Sequence, residues 1–90
     1  MNSLFITYTL EEDSNAWQEV NKLLKSYPNW AKLFRHTWII QTAKSTCQVR
    51  DELSKIISNK GKILVIDITY SQWATCEVDR KVVEWMKEYA

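Results

Sequence analysis

Two apolar runs bracket this chain, Leu4-Phe5-Ile6-Thr7-Tyr8-Thr9-Leu10 and Ile63-Leu64-Val65-Ile66-Asp67-Ile68. Both are too apolar for a strand with one face fully in water, and turn signals flank the second. They read as central β-strands. Between them the hydrophobic spacing changes to a helical period, back to a strand period, and to helical again. A chain built this way must place helices against a sheet.

The first helical stripe is Trp17, Val20, Leu24 and Tyr27, with Leu23 beside it and Lys22 and Lys25 off it. Ser14 or Asn15 can cap its start. Pro28 stops it, because the residue before a proline is pushed out of helical geometry. Trp30 to Thr42 is strand-like but longer than the usual five or six residues. It is either one bent strand or a hairpin turning near Phe34–His36. Ser45 and Gln48 fit a capping box ahead of a second helix carrying Val49, Leu53, Ile56 and Ile57. Asn59-Lys60-Gly61 should end that helix, with Gly61 free to take positive φ. Ser71 to Cys76 reads as loop. Asp79 opens a closing helix with Val82, Trp85, Met86 and Tyr89 on its apolar side.

The order is β-α-β(β)-α-β-α. Helical crossovers put both inner helices on one sheet face, which predicts an α+β ferredoxin-like plait (β-α-β-β-α-β) with an extra C-terminal helix. Ninety residues make one domain, residues 1–90. So short a chain buries only roughly 60–65% of its unfolded surface. Five tryptophans offset this, each able to bury on the order of 200 Å². A single glycine and a single proline exclude a linker or low-complexity segment. If Phe5, Trp38 or Ile39 lies on the uncovered sheet face, it needs cover from the last helix or from a second subunit.

Cys47 and Cys76 form no CxxC or zinc-type cluster and read as free thiols in a reducing compartment. There is no basic n-region followed by an apolar core, and no apolar run approaches a membrane span. The expectation is a soluble, cytoplasmic protein that makes no membrane contact.

The net charge of +1 hides an uneven distribution. Residues 1–20 carry four acidic and no basic residues, whereas residues 21–62 carry nine basic against two acidic, or +7. That middle is either a set of solvated lysines or a phosphate-binding face. In the second case Lys32, Arg35, Lys44 and Arg50 are the candidate contacts, flanking the 30–42 segment and its passage into the second helix. No glycine-rich phosphate loop exists, His36 is a lone strand histidine, and neither cysteine has an activating pattern. Asp51 is placed to pair with Lys55 at i, i+4. Asp67, inside an apolar strand, is the one acid whose position asks for a reason and is the weak catalytic candidate; no cofactor or metal site is indicated.

Several segments occur in the same order in a set of small bacterial proteins. These are Leu4–Leu10, His36-Thr37-Trp38-Ile39-Ile40-Gln41-Thr42, Val49-Arg50-Asp51-Glu52-Leu53, Ile63–Ile68 and Trp73-Ala74. The chain resembles the SinR-like proteins, which are similar in fold to CRISPR-associated protein 2 and to VapD-type toxins. The resemblance implies a ferredoxin-like homodimer. It also implies an acidic residue ending the first strand, close to its dimer mate, where two carboxylates could hold Mg²⁺. Here that position is Thr9, whose hydroxyl is a poor Mg²⁺ ligand and no general base at neutral pH. Glu11 and Glu12 follow in what reads as a solvated loop. The expectation is a dimeric binding protein without nuclease activity that holds nucleic acid weakly. The alternatives are a metal-dependent endoribonuclease or toxin of the same fold, and a protein-interaction module of a toxin–antitoxin or mobile-element system.

Overall fold

The computed structural model describes residues 1–90. In chain order the elements are β1 (Asn2–Tyr8), α1 (Asn15–Lys25), β2 (Asn29–Phe34), β3 (Thr37–Thr42), α2 (Thr46–Ile57), β4 (Ile63–Asp67) and α3 (Arg80–Tyr89). The four strands form one sheet in the order β2-β3-β1-β4, with every neighbouring pair antiparallel. Each helical crossover therefore skips one strand: α1 carries the chain past β3, and α2 carries it past β1. The class is α+β, as the changing hydrophobic period requires.

Strand alternation assigns the faces. Leu4, Ile6 and Tyr8 of β1 join Trp38 and Ile40 of β3 in the main core. Val20 and Leu24 of α1 meet Val49, Leu53 and Ile57 of α2 in the same cluster, so both helices cover one face. Inside it the Trp38 indole donates to the Tyr8 hydroxyl at 3.1 Å, satisfying a donor that burial would otherwise leave costly.

The opposite face carries α3, which packs on β2. Ala31, Ile39 and Met86 are buried there, outside the main cluster. The Ser3 hydroxyl and the Gln41 amide both donate to the Tyr89 carbonyl, at 3.2 and 2.6 Å, and tie down the end of α3. The cover expected for Ile39 thus comes from the chain's own last helix.

Side-chain caps explain where the helices start. The Ser14 hydroxyl accepts from Trp17 N at 3.1 Å. Ser45 and Gln48 make the reciprocal capping box. The Asp79 carboxylate accepts from Lys81 N at 2.8 Å. Of the two readings of Trp30–Thr42, the hairpin is the one formed. It turns at Arg35-His36, and a register shift lies between Lys32 and Phe34.

Two local expectations are corrected. No glycine has positive φ; the residue in that region just beyond α2 is Ser58, at φ 51°. Gly61 is required for space instead, since a Cβ there would lie 1.8 Å from the Thr9 carbonyl oxygen. Asp51 pairs with its neighbour Arg50 at 2.9 Å and not with Lys55.

Candidate binding surfaces

The sheet registers decide which acids can meet. Asp67 stands opposite Leu4, whereas Tyr8, the last residue of β1 before Thr9, stands opposite Ile63. Four residue steps separate these positions, roughly 13 Å at strand spacing. No group of three His, Cys, Asp or Glu side chains comes together as a metal-holding set.

The Thr9, Glu12 and Asp67 side chains each have a local partner, and that of Glu11 has none. The Thr9 hydroxyl accepts from Lys62 N at 2.9 Å, closing the junction between the end of β1 and the start of β4. Glu12 accepts from Arg35 at 2.6 Å and Glu11 is exposed. Asp67 takes both the hydroxyl and the backbone N–H of Thr69, at 2.5 and 2.9 Å. Those two hydrogen bonds hold its carboxyl below the usual range. The Thr69 hydroxyl in turn accepts from Ser3 N at 3.0 Å. Asp67 thus organises the turn that ends β4, which accounts for an acid in an apolar strand. His36 packs its ring 5.3 Å from that of Tyr8, and both cysteines are free and exposed.

The four basic candidates are dispersed. Arg35 sits in the hairpin turn with His36, whose carbonyl accepts from the Tyr8 N–H. Lys44 lies at the opposite end of the sheet, where its carbonyl accepts from Asn2. The Lys44 ammonium donates to Glu52 at 2.7 Å, and Arg50, on α2, is paired with Asp51. Arg35, Lys44 and Arg50 are therefore each beside a carboxylate, and only Lys32 has none within ion-pair distance.

Lys32 belongs to a different group. It stands opposite Trp38, and Trp30 stands opposite Ile40, so both face the helix side of β2. The Lys32 ammonium lies 5.1 Å from the Trp17 ring and 5.6 Å from Trp38, and donates to Asn21 Oδ1 at 3.3 Å. With Trp17, Gln18, Asn21, Lys22 and Lys25 it lines a groove of about 400 Å³ between α1 and β2. Lys25 reaches to 5.7 Å from the Trp30 ring. Trp30 is 38% exposed and packs 5.5 Å from Trp38. None of Lys22, Lys25 and Lys32 is in an ion pair. Glu19 lines the adjoining depression with Lys22 without bonding to it. The sequence places Lys22 and Lys25 in the basic middle and off the apolar stripe but does not single them out as contacts. Their i, i+3 spacing was the available signal.

A second surface is apolar. Thr7 and Phe5 stand opposite Leu64 and Ile66, so all four share the face that carries α3. That helix lies toward β2 and leaves this half open: Leu64 is 52% and Ile66 43% exposed. Tyr70, just beyond β4, has φ 62° and is almost wholly exposed. No helix is long and apolar enough to cross a membrane.

No protein-family model and no curated protein sequence matches the chain.

Proposed function

We propose that this chain is a small dimeric ferredoxin-like protein, related to CRISPR-associated protein 2, that binds nucleic acid weakly and does not cleave it. The interleaved crossovers and the all-antiparallel sheet support the plait, with α3 as an addition on the second face. The observation that carries the functional reading is that Asp67 lies far from the end of β1, where a hydroxyl stands in place of an acid. Asp67 is committed to its turn at one end of β4, and the Thr9 hydroxyl is committed to Lys62 at the other. Metal-assisted hydrolysis needs oxygen ligands gathered around one ion. A binding role needs only charge and surface, and both are present.

Self-association is assigned to β4. Of the two edge strands, β2 is blunted by its register shift and by Lys32, whereas β4 carries Ile63-Leu64-Val65-Ile66 uninterrupted. A two-fold axis through an antiparallel β4 pair places Leu64 opposite the partner subunit's Ile66 twice, on the open apolar half-face. The test is incubation of the purified protein with labelled RNA and DNA in Mg²⁺ or Mn²⁺. Retained, intact strands support binding. Cleavage that survives Glu11→Ala and Glu12→Ala but is lost in Asp67→Ala overturns the proposal in favour of a nuclease of the same fold.

A further inference from the structure

We infer that the α1–β2 groove is a site for single-stranded nucleic acid, in which Lys22, Lys25 and Lys32 hold phosphates while Trp30, beside the groove and within reach of Lys25, offers a stacking surface for a base. The inference rests on the proposed nucleic-acid reading and places it on residues other than the dispersed set of Arg35, Lys44 and Arg50.

Charge comes first. Three ammonium groups line one groove, and none has a carboxylate within ion-pair distance. Three like charges held together repel one another, and a polyanion relieves that repulsion. Lys22 and Lys25 are neighbours on the helix surface, with about 5–6 Å between Cβ atoms, so two phosphates of one strand fall within their reach. Lys32 is the rigid member, held over Trp17 and Trp38 and bonded to Asn21.

The aromatic component selects the class of polyanion. Trp30 is packed against Trp38 on one side and open to solvent on 38% of its surface. The ammonium of the exposed Lys25 lies 5.7 Å from its ring. A base of an unpaired strand can displace that side chain and stack, while the freed ammonium takes a phosphate. Base–aromatic stacking adds roughly 1–3 kcal/mol per base, and a paired base in a duplex cannot supply it. The groove also provides hydrogen-bonding amides: Gln18 lines it, and the Asn21 side chain is fixed by its own bond to the Trp17 carbonyl at 2.6 Å.

The experiment is fluorescence anisotropy at low and moderate salt. The probes are labelled oligo-dT, labelled oligo-U and a labelled DNA duplex, with polyglutamate as a competing acidic polypeptide. Lys22 and Lys25 are exposed, so Lys22→Gln/Lys25→Gln should fold, and matching thermal melts verify that. Wild-type protein should prefer the single strands. The double variant should raise Kd at least about tenfold and reduce the salt slope by about 1.4, or about 0.7 per lost phosphate contact. Lys22→Arg/Lys25→Arg should bind as wild type, and Arg50→Gln/Lys55→Gln should stay within about twofold. Trp30→Leu should weaken the single strands and not the duplex. If the glutamine pair binds as wild type while Arg35→Gln/Lys44→Gln does not, the groove inference fails and the proposed function stands. Preference for duplex removes the stacking component and overturns the inference. Groove-dependent binding of polyglutamate alone, or no binding at low salt, overturns both.

Discussion

Gly61 is constrained by proximity. Its Cα approaches the Thr9 carbonyl so closely that a methyl group has no room. Gly61→Ala should therefore push Lys62 away from Thr9 and disturb the start of β4. A cost of about 1–3 kcal/mol is expected, as for an overpacked core site, and urea denaturation would measure it. The tyrosines set the alkaline behaviour. Burial raises the Tyr27 pKa above its ordinary value of 10.0, and the Glu52 carboxylate that accepts its hydroxyl raises it further. Burial also raises that of Tyr8, with the Trp38 bond partly opposing the shift. Both groups are neutral in the fold above the pH at which the unfolded chain ionises. Their contribution is complete below about pH 10 and falls as pH climbs from there toward the folded values. Thermal melts from pH 8 to 12 should show this decline, and Tyr27→Phe should flatten it.

Among the elements, helix starts were legible and strand surroundings were not. Ser14, Ser45 and Asp79 announce the helix starts by local chemistry, which a sequence displays in full. The 30–42 segment stayed open between bent strand and hairpin because a two-residue turn at Arg35-His36 carries no Gly, Asn or Pro. The face assignment of Phe5 and Ile39, and the path of α3 toward β2, depend on tertiary packing that no local pattern encodes. Asp67 reads as a candidate acid in the sequence because nothing local marks Thr69, two residues on, as the partner that its carboxylate takes up in the fold. β4 is the element whose exposure has the largest consequence. Leu64→Lys/Ile66→Lys should convert a dimer into a monomer at tens of micromolar in sedimentation velocity. A monomer in the unaltered protein would remove the dimer from the account.

At the scale of the whole molecule, charge is the organising feature. The +7 middle segment was visible as a number, but its spatial division was not. Arg35, Lys44 and Arg50 fold onto carboxylates at separate places, whereas Lys22, Lys25 and Lys32 converge on one groove. Sequence distance hides this, since Lys32 lies ten residues from Lys22 and is brought beside it only by the turn between α1 and β2. The resulting picture is of a domain with a lysine-lined groove on its helical side, an apolar half-face on the other, and no cluster of acids that could hold a metal. Its central claim is that nucleic acid is bound and left intact. One gel decides this most directly: a single-stranded RNA labelled at one end, incubated with excess protein and Mg²⁺ at low salt, and run in parallel under native and denaturing conditions. The account predicts a retarded band on the native gel and a full-length strand on the denaturing one. Shortened strands that disappear on chelation of the metal would contradict it.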